Sequence, residues 1–226
     1  MSEVRSALVW ERGGVGVSPL TVTLQEAKVR KKHLVMALLC EGEEGGVCPQ
    51  LPAGYLCESL VGWFYNELLP ICKRSSECDA ERLKILLLEQ WERAAREWKE
   101  YAGKRACSEE VRIGGILLWD SFFVVFGNMP VYVLNRRFNR PRKKNLLSGT
   151  EIVTFYAGEV SGFISFYVEN EAMRQGIKEE EVLESLYVET PMNEQRLEKR
   201  LTELGSVARE RCPGKPIGAV ALEVTS

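Results

Sequence analysis

The sequence predicts an α+β fold in which two antiparallel sheets pack face to face and helices cover their outer faces. Three observations predict it. Strand-like and helix-like segments are segregated along the chain rather than alternating: strands, two long helices, more strands, two helices, a last strand. The helices are amphipathic, so each needs an apolar surface to cover. The run Leu34-Val35-Met36-Ala37-Leu38-Leu39 is apolar throughout, which at this length suits a strand buried on both faces.

Taken in order, Ser6 to Trp10 and Gly16 to Thr23 read as strands. Leu20, Val22 and Leu24 alternate with polar residues, as in a half-buried strand. Between them, Gly13-Gly14-Val15-Gly16 lacks the Lys-Ser/Thr pair of a phosphate-cradling loop and reads as a hairpin turn. His33 to Cys40 is the buried strand, and the Gly- and Glu-rich stretch 41–54 is a loop. Tyr55 to Leu69 is helical, with Leu56, Leu60, Trp63, Phe64 and Leu68 on one face and Pro70 as its stop. Ser75 or Ser76 is the expected cap of a second helix, Asp79 to Tyr101. There Leu83, Leu86, Leu87, Trp91, Ala94 and Trp98 form a stripe toward the core. Val111 to Leu118, Phe122 to Phe126 and Val131 to Asn135, joined by short turns, predict an antiparallel meander. A basic loop follows, Arg136 to Lys144. Glu151 to Phe155 and Phe163 to Val168 are strands, Glu179 to Leu186 and Asn193 to Arg211 are helices, and Gly218 to Val224 is the last strand. No repeat or linker divides residues 1–226, so one domain is expected.

The bulk numbers exclude several functions. The 226 residues are 45% hydrophobic and 27% charged, ordinary for a globular protein with a real core. A formal net charge of -2 implies no general attraction to nucleic acid. His33 is the only histidine, which excludes a multi-His metal site. Seven cysteines, an odd number with no Cys-x-x-Cys pair, suggest neither a zinc site nor a disulfide framework. Reduced thiols, no signal-like start and no apolar run of about 20 residues point to a cytoplasmic protein with no membrane partner.

Four stretches carry a family resemblance: Leu24-Gln25-Glu26-Ala27, Glu41-Gly42 with Gly45-Gly46 behind it, Gly127-Asn128-Met129-Pro130-Val131-Tyr132, and Lys215-Pro216-Ile217-Gly218. In this order and spacing the chain resembles the metal-dependent (PPM-type) Ser/Thr protein phosphatases, over about residues 5 to 225. The resemblance implies a four-layer α/β/β/α sandwich and two Mg²⁺ or Mn²⁺ ions that activate a water for attack on a phosphoester. It also implies that the metal chemistry is altered. Glu26 and Glu41 stand where the family has aspartates, with Gly42 as its carbonyl ligand. Thr21 stands at a phosphate-binding Arg, and Asn128 and Pro130 at the family's Asp and Arg. The third metal motif falls at Asn170-Glu171-Ala172 or, in another register, at Tyr156-Ala157-Gly158. Lys215 stands at the last Asp.

Glutamate for aspartate adds a methylene to a site that wants short, rigid oxygen ligands. A lysine at a ligand position repels a divalent ion and can pair with Glu26, Glu41 or Glu171 instead, plugging the site. The expectation is therefore a pseudophosphatase with no cofactor beyond weak Mn²⁺ or Mg²⁺ binding, acting by binding a kinase, a phosphoprotein or a phosphatase paralogue. Arg136, Arg137, Arg140, Arg142, Lys143 and Lys144 are the candidate partner contact. The acidic runs Glu43-Glu44 and Glu179-Glu180-Glu181 read as solvated. The alternatives are a working hydrolase with an all-Glu metal site and an α+β protein unrelated to the family.

Overall fold

The computed structural model describes residues 2–14, 20–42, 50–74, 78–105, 111–137, 140–147 and 152–226. Its strands are β1 (Glu3–Glu11), β2 (Leu20–Val29), β3 (Lys32–Gly42), β4 (Val111–Trp119), β5 (Phe122–Gly127), β6 (Val131–Arg137), β7 (Arg140–Asn145), β8 (Thr154–Glu159), β9 (Phe163–Glu169) and β10 (Ile217–Thr225). Its helices are α1 (Gln50–Trp63), α2 (Leu69–Arg74), α3 (Ala80–Arg105), α4 (Glu171–Gly176), α5 (Glu179–Leu186) and α6 (Glu194–Arg211). One sheet has the order β1-β10-β9-β6-β7 and the other β2-β3-β4-β5-β8, with every strand pair antiparallel.

The alternation of side chains along β3 shows why these layers form. Leu34, Met36 and Leu38 face the core under α1 and α3, while Val35, Ala37 and Leu39 face the core between the sheets. Full burial of each large member contributes about 1.5–3 kcal/mol, so a polar residue at any of these positions works against both layers. The outer face of the other sheet is covered by α4, α5 and α6 through Met173, Val182, Leu186, Leu197 and Leu201. Four layers result, as the sequence predicts.

Local chemistry corrects several boundaries. The first helix does not stop at Pro70. A π-helical turn at Phe64–Leu68 precedes it, with the Leu69 amide donating to the Phe64 carbonyl, and the helix resumes as α2. The wider turn absorbs the missing N–H and the ring of Pro70. Asp79 caps α3: its Oδ1 accepts from the Arg82 amide at 2.8 Å. Ser75, Ser76, Glu43, Glu44, Gly45 and Gly46 lie outside the described residues. Helix α4 was unforeseen, and Asn170 caps it by accepting from the Met173 amide. Trp98 is buried and Trp91 packs beside it, as the stripe requires.

The predicted meander is not one. Strands β4 and β5 pair, but β6 lies in the other sheet, between β7 and β9. The chain crosses at Gly127, where φ is +140° and a Cβ would lie 2.0 Å from the Ile113 carbonyl oxygen. Only glycine makes that step. The expected hairpin at Gly13–Gly16 fails for the same reason, since β1 and β2 belong to different sheets. Gly14 instead donates its N–H to the Gly214 carbonyl at 2.9 Å, while residues 15–19 lie outside the described residues.

The basic loop is also a strand pair. Arg136 and Arg137 end β6, where only their backbone is described, and β7 forms the sheet edge. Arg140, Arg142 and Lys144 are exposed, whereas Lys143 turns inward. Its ammonium pairs with Glu169 and sits 4.1 Å from the Tyr132 ring centroid and 5.5 Å from that of Tyr167. Charges and Pro141 on an edge strand also block pairing with further chains.

Candidate functional site

Glu41, Asn128, Asn170, Glu171 and the Pro216–Gly218 stretch meet at one corner, where β3, β4, β9 and β10 open between the sheets. Glu41, near the end of β3, follows the inward alternation of Val35, Ala37 and Leu39 and is 9% exposed. Burial holds its carboxyl above the usual carboxylate range, against the lowering pull of Arg112 and Asn170. Across the ladder from Glu41 stands Arg112. Its guanidinium reaches two carboxylates: Nη1 lies 3.7 Å from Glu41 Oε2, and Nη2 donates to Glu171 Oε2 at 3.3 Å.

Asn128 fixes the strand carrying that guanidinium. Its Nδ2 donates to the Val111 carbonyl at 3.0 Å and its Oδ1 accepts from the Ile113 amide at 2.7 Å. The two bonds flank Arg112, one on each side. An aspartate accepts but cannot donate, so the carboxamide is the group this clamp needs.

Asn170 is fully buried at the end of β9 and binds four partners. Nδ2 donates to Glu41 Oε1 at 3.3 Å and to the Pro216 carbonyl at 2.9 Å. Oδ1 accepts from the Met173 amide at 3.1 Å and the Gly218 amide at 3.2 Å. Glu171 begins α4, where it is held by Arg174, Arg112 and a 3.0 Å bond from Gln175. Desolvation works to raise the Glu171 pKa, but Arg174, Gln175 and Arg112 outweigh it, and the carboxyl is lowered. Lys215 donates to Gln175 Oε1 at 3.0 Å and forms no ion pair with Glu41 or Glu171.

The structure thus brings together Glu41, Glu171 and, through Gln175, Lys215. It does not bring Glu26. The β2–β3 hairpin pairs Glu41 with Leu20 and Glu26 with Val35. Six residues of strand separate the two positions, about 20 Å at ~3.3 Å per residue. Glu26 accepts from the Ser6 hydroxyl and lines an open groove with Glu194 and Glu198. Thr21 pairs with Cys40, one step from the corner. Gly42 pairs with Val111 at the end of β3, and Ala157 sits within β8 opposite Val124. The cation between the glutamates is Arg112, not Lys215. Sequence reading missed it, although one arginine inside the apolar strand Val111 to Leu118 was a visible signal.

Among the described residues, the donors at this corner do not fit a pair of divalent ions. Two carboxylates share one guanidinium, and the carboxamide oxygen of Asn170 is spent on two backbone amides. Among the described residues no group of three or more His, Cys, Asp or Glu side chains is placed to hold a metal. Hard cations need several free, rigid oxygens at short range, and the corner offers a cation instead.

No family model and no curated relative matches the chain. Solved structures do. A bacterial serine phosphatase superposes with a TM-score of 0.73 at 10% identity, covering 99% of this chain and 98% of that one. The catalytic domain of the serine threonine protein phosphatase PstP, in complex with two manganese ions, gives 0.70 at 13% identity over 100% of both chains. Stp1 of Staphylococcus aureus gives 0.70 at 9% identity, covering 97% and 94%. At such identities the likeness establishes the fold, which is that of the PPM-type Ser/Thr phosphatases.

Proposed function

We propose that this domain is a pseudophosphatase: a PPM-type phosphatase fold that acts by binding another protein rather than by hydrolysing a phosphoester. One observation carries the reading. The Arg112 guanidinium lies between Glu41 and Glu171 at the corner where the family resemblance would set a metal, and a fixed positive charge there repels Mg²⁺ or Mn²⁺. Asn170 and Lys215 supply no carboxylate to offset it. The partner class is a kinase, a phosphoprotein or a phosphatase paralogue. Its contact is the exposed cationic row Arg140, Arg142 and Lys144 on edge strand β7, which suits a phosphorylated or acidic surface. The proposed compartment is the cytoplasm; among the described residues no helix is long and apolar enough to cross a membrane.

Isothermal titration with MnCl₂ and a p-nitrophenyl phosphate assay test the reading together. The expected results are no saturable Mn²⁺ heat and no Mn²⁺-dependent turnover. Robust turnover that Glu41→Ala abolishes overturns the reading in favour of an active hydrolase with a Glu-based site.

A further inference from the structure

The end of the sandwich opposite Glu41 holds a second concave site. Strand β4 carries Arg112 near one end and Trp119 at the other, about 23 Å apart at ~3.3 Å per residue. Around Trp119 lies a pocket of about 370 Å³, lined by Val29, Arg30, Lys31, Lys32, Cys72, Lys73 and the indole itself. That volume is within the range of small-molecule sites.

Two independent features describe what would fill it. The first is charge. Four cationic side chains stand at its wall. Lys32 is offset by Asp120 at 3.6 Å and lies 5.4 Å from the Trp119 ring centroid. Arg30, Lys31 and Lys73 are exposed and have no ion pair among the described residues. The second is an apolar inner wall, behind which one donor is unmet. Trp119 is 2% exposed, and its Nε1–H has no acceptor among the described residues. A buried indole N–H ordinarily finds a partner. Val29, Trp119 and Cys72 make the inner wall apolar, and the Cys72 thiol is kept protonated by its hydrogen bond with Cys78 and by burial.

We infer that this pocket binds a small amphipathic organic anion. Its apolar body packs on Val29 and the Trp119 ring, and its acidic head meets Arg30, Lys31 and Lys73. Neutral apolar molecules lack the head, and inorganic anions lack the body. The site is independent of the reading given for the Glu41 corner.

The test is a ¹H–¹⁵N titration of the tryptophan side chains with 4-phenylbutyrate, using 4-phenylbutan-1-ol as the neutral control. Trp119→Phe assigns the resonance. The expected result is a saturable shift of the Trp119 indole N–H with the carboxylate and at least tenfold weaker binding of the alcohol. The double variant Lys31→Glu/Lys73→Glu, which changes only exposed side chains, should lose at least tenfold in affinity for the carboxylate. No shift at Trp119, equal binding of the alcohol, or unchanged affinity in the double variant each overturns the inference.

Discussion

Replacing Arg112 with methionine isolates the charge between the two glutamates, because methionine keeps most of the aliphatic stem that covers the strand. The Arg112 side chain is 43% exposed, Glu41 11% and Glu171 29%. Breaking a buried ion pair costs about 3–5 kcal/mol and an exposed one about 0–1 kcal/mol. A pair with one buried and one half-exposed partner falls between, at about 2 kcal/mol near pH 8. The cost depends on pH with a definite sign. The folded-state pKa of Glu41 is raised, chiefly by burial, so its contribution favours folding while protonated and is lost as pH rises from the ordinary carboxylate range through the folded value. Removing Arg112 removes the largest lowering influence on that carboxyl and deepens the loss. Urea unfolding of wild type and Arg112→Met at pH 4.5 and pH 8 should show about 2 kcal/mol lost at pH 8 and about 1 kcal/mol or less at pH 4.5. Equal losses at the two pH values, or a loss below about 0.5 kcal/mol at pH 8, would show that Arg112 does not neutralise Glu41.

Gly127→Ala places a Cβ 2.0 Å from the Ile113 carbonyl at a φ of +140°, so urea unfolding should show a loss of about 3 kcal/mol or more. Asn128→Asp removes the donor to the Val111 carbonyl and sets a carboxylate beside it; a loss of about 1–3 kcal/mol is expected by thermal and urea unfolding. Lys143→Met leaves Glu169, whose side chain is 1% exposed, without its cation, for a loss of about 3–5 kcal/mol. The double variant Lys143→Met/Glu169→Gln should lose less than the sum of the singles, as a double-mutant cycle will show. The Glu181 pKa is lowered to about 2 by its hydrogen bonds from Arg211 and from the Lys178 amide. An NMR titration should find that pKa well below that of other exposed glutamates, and the stability Glu181 contributes should fade as pH drops from the ordinary carboxylate range toward 2.

The layers were legible because burial writes itself into periodicity. The unbroken run of β3, the stripe of α3 and the start of α6 at Asn193 each depend on neighbours within a few residues, and each stands where the sequence puts it. Partner choice is not local. Nothing in the alternation of Phe122 to Phe126 says whether the next strand, Val131 to Asn135, pairs with it or crosses to the other sheet. The crossing depends on one glycine and a contact with Ile113. Placing Glu26 at the corner failed for a related reason. Matching short motifs along the chain ignores the hairpin between them, whose turn at Arg30 and Lys31 sets Glu41 opposite Leu20. Glu41 and Glu171 lie together because β3 and β9 end at the same corner, with Glu41 near the end of β3 and Glu171 opening α4 just beyond β9. Arg112 escaped notice because an arginine in a strand is ordinary until the ladder shows what stands opposite.

Strand β10 lies between β1 and β9, although more than two hundred residues of chain separate β1 from β10. The sheet holding β2, β3, β4, β5 and β8 needs nothing beyond Glu159, so during synthesis it has all its strands long before the other can close. Until Ile217–Thr225 leaves the ribosome, one face of that finished sheet, with Val35, Ala37, Leu39, Ile116 and Val125, has only part of its cover. A premature stop codon anywhere before residue 217 would leave β1 without its neighbour and freeze the nascent protein in that sticky state. Such fragments should be chaperone clients and protease substrates rather than smaller working domains.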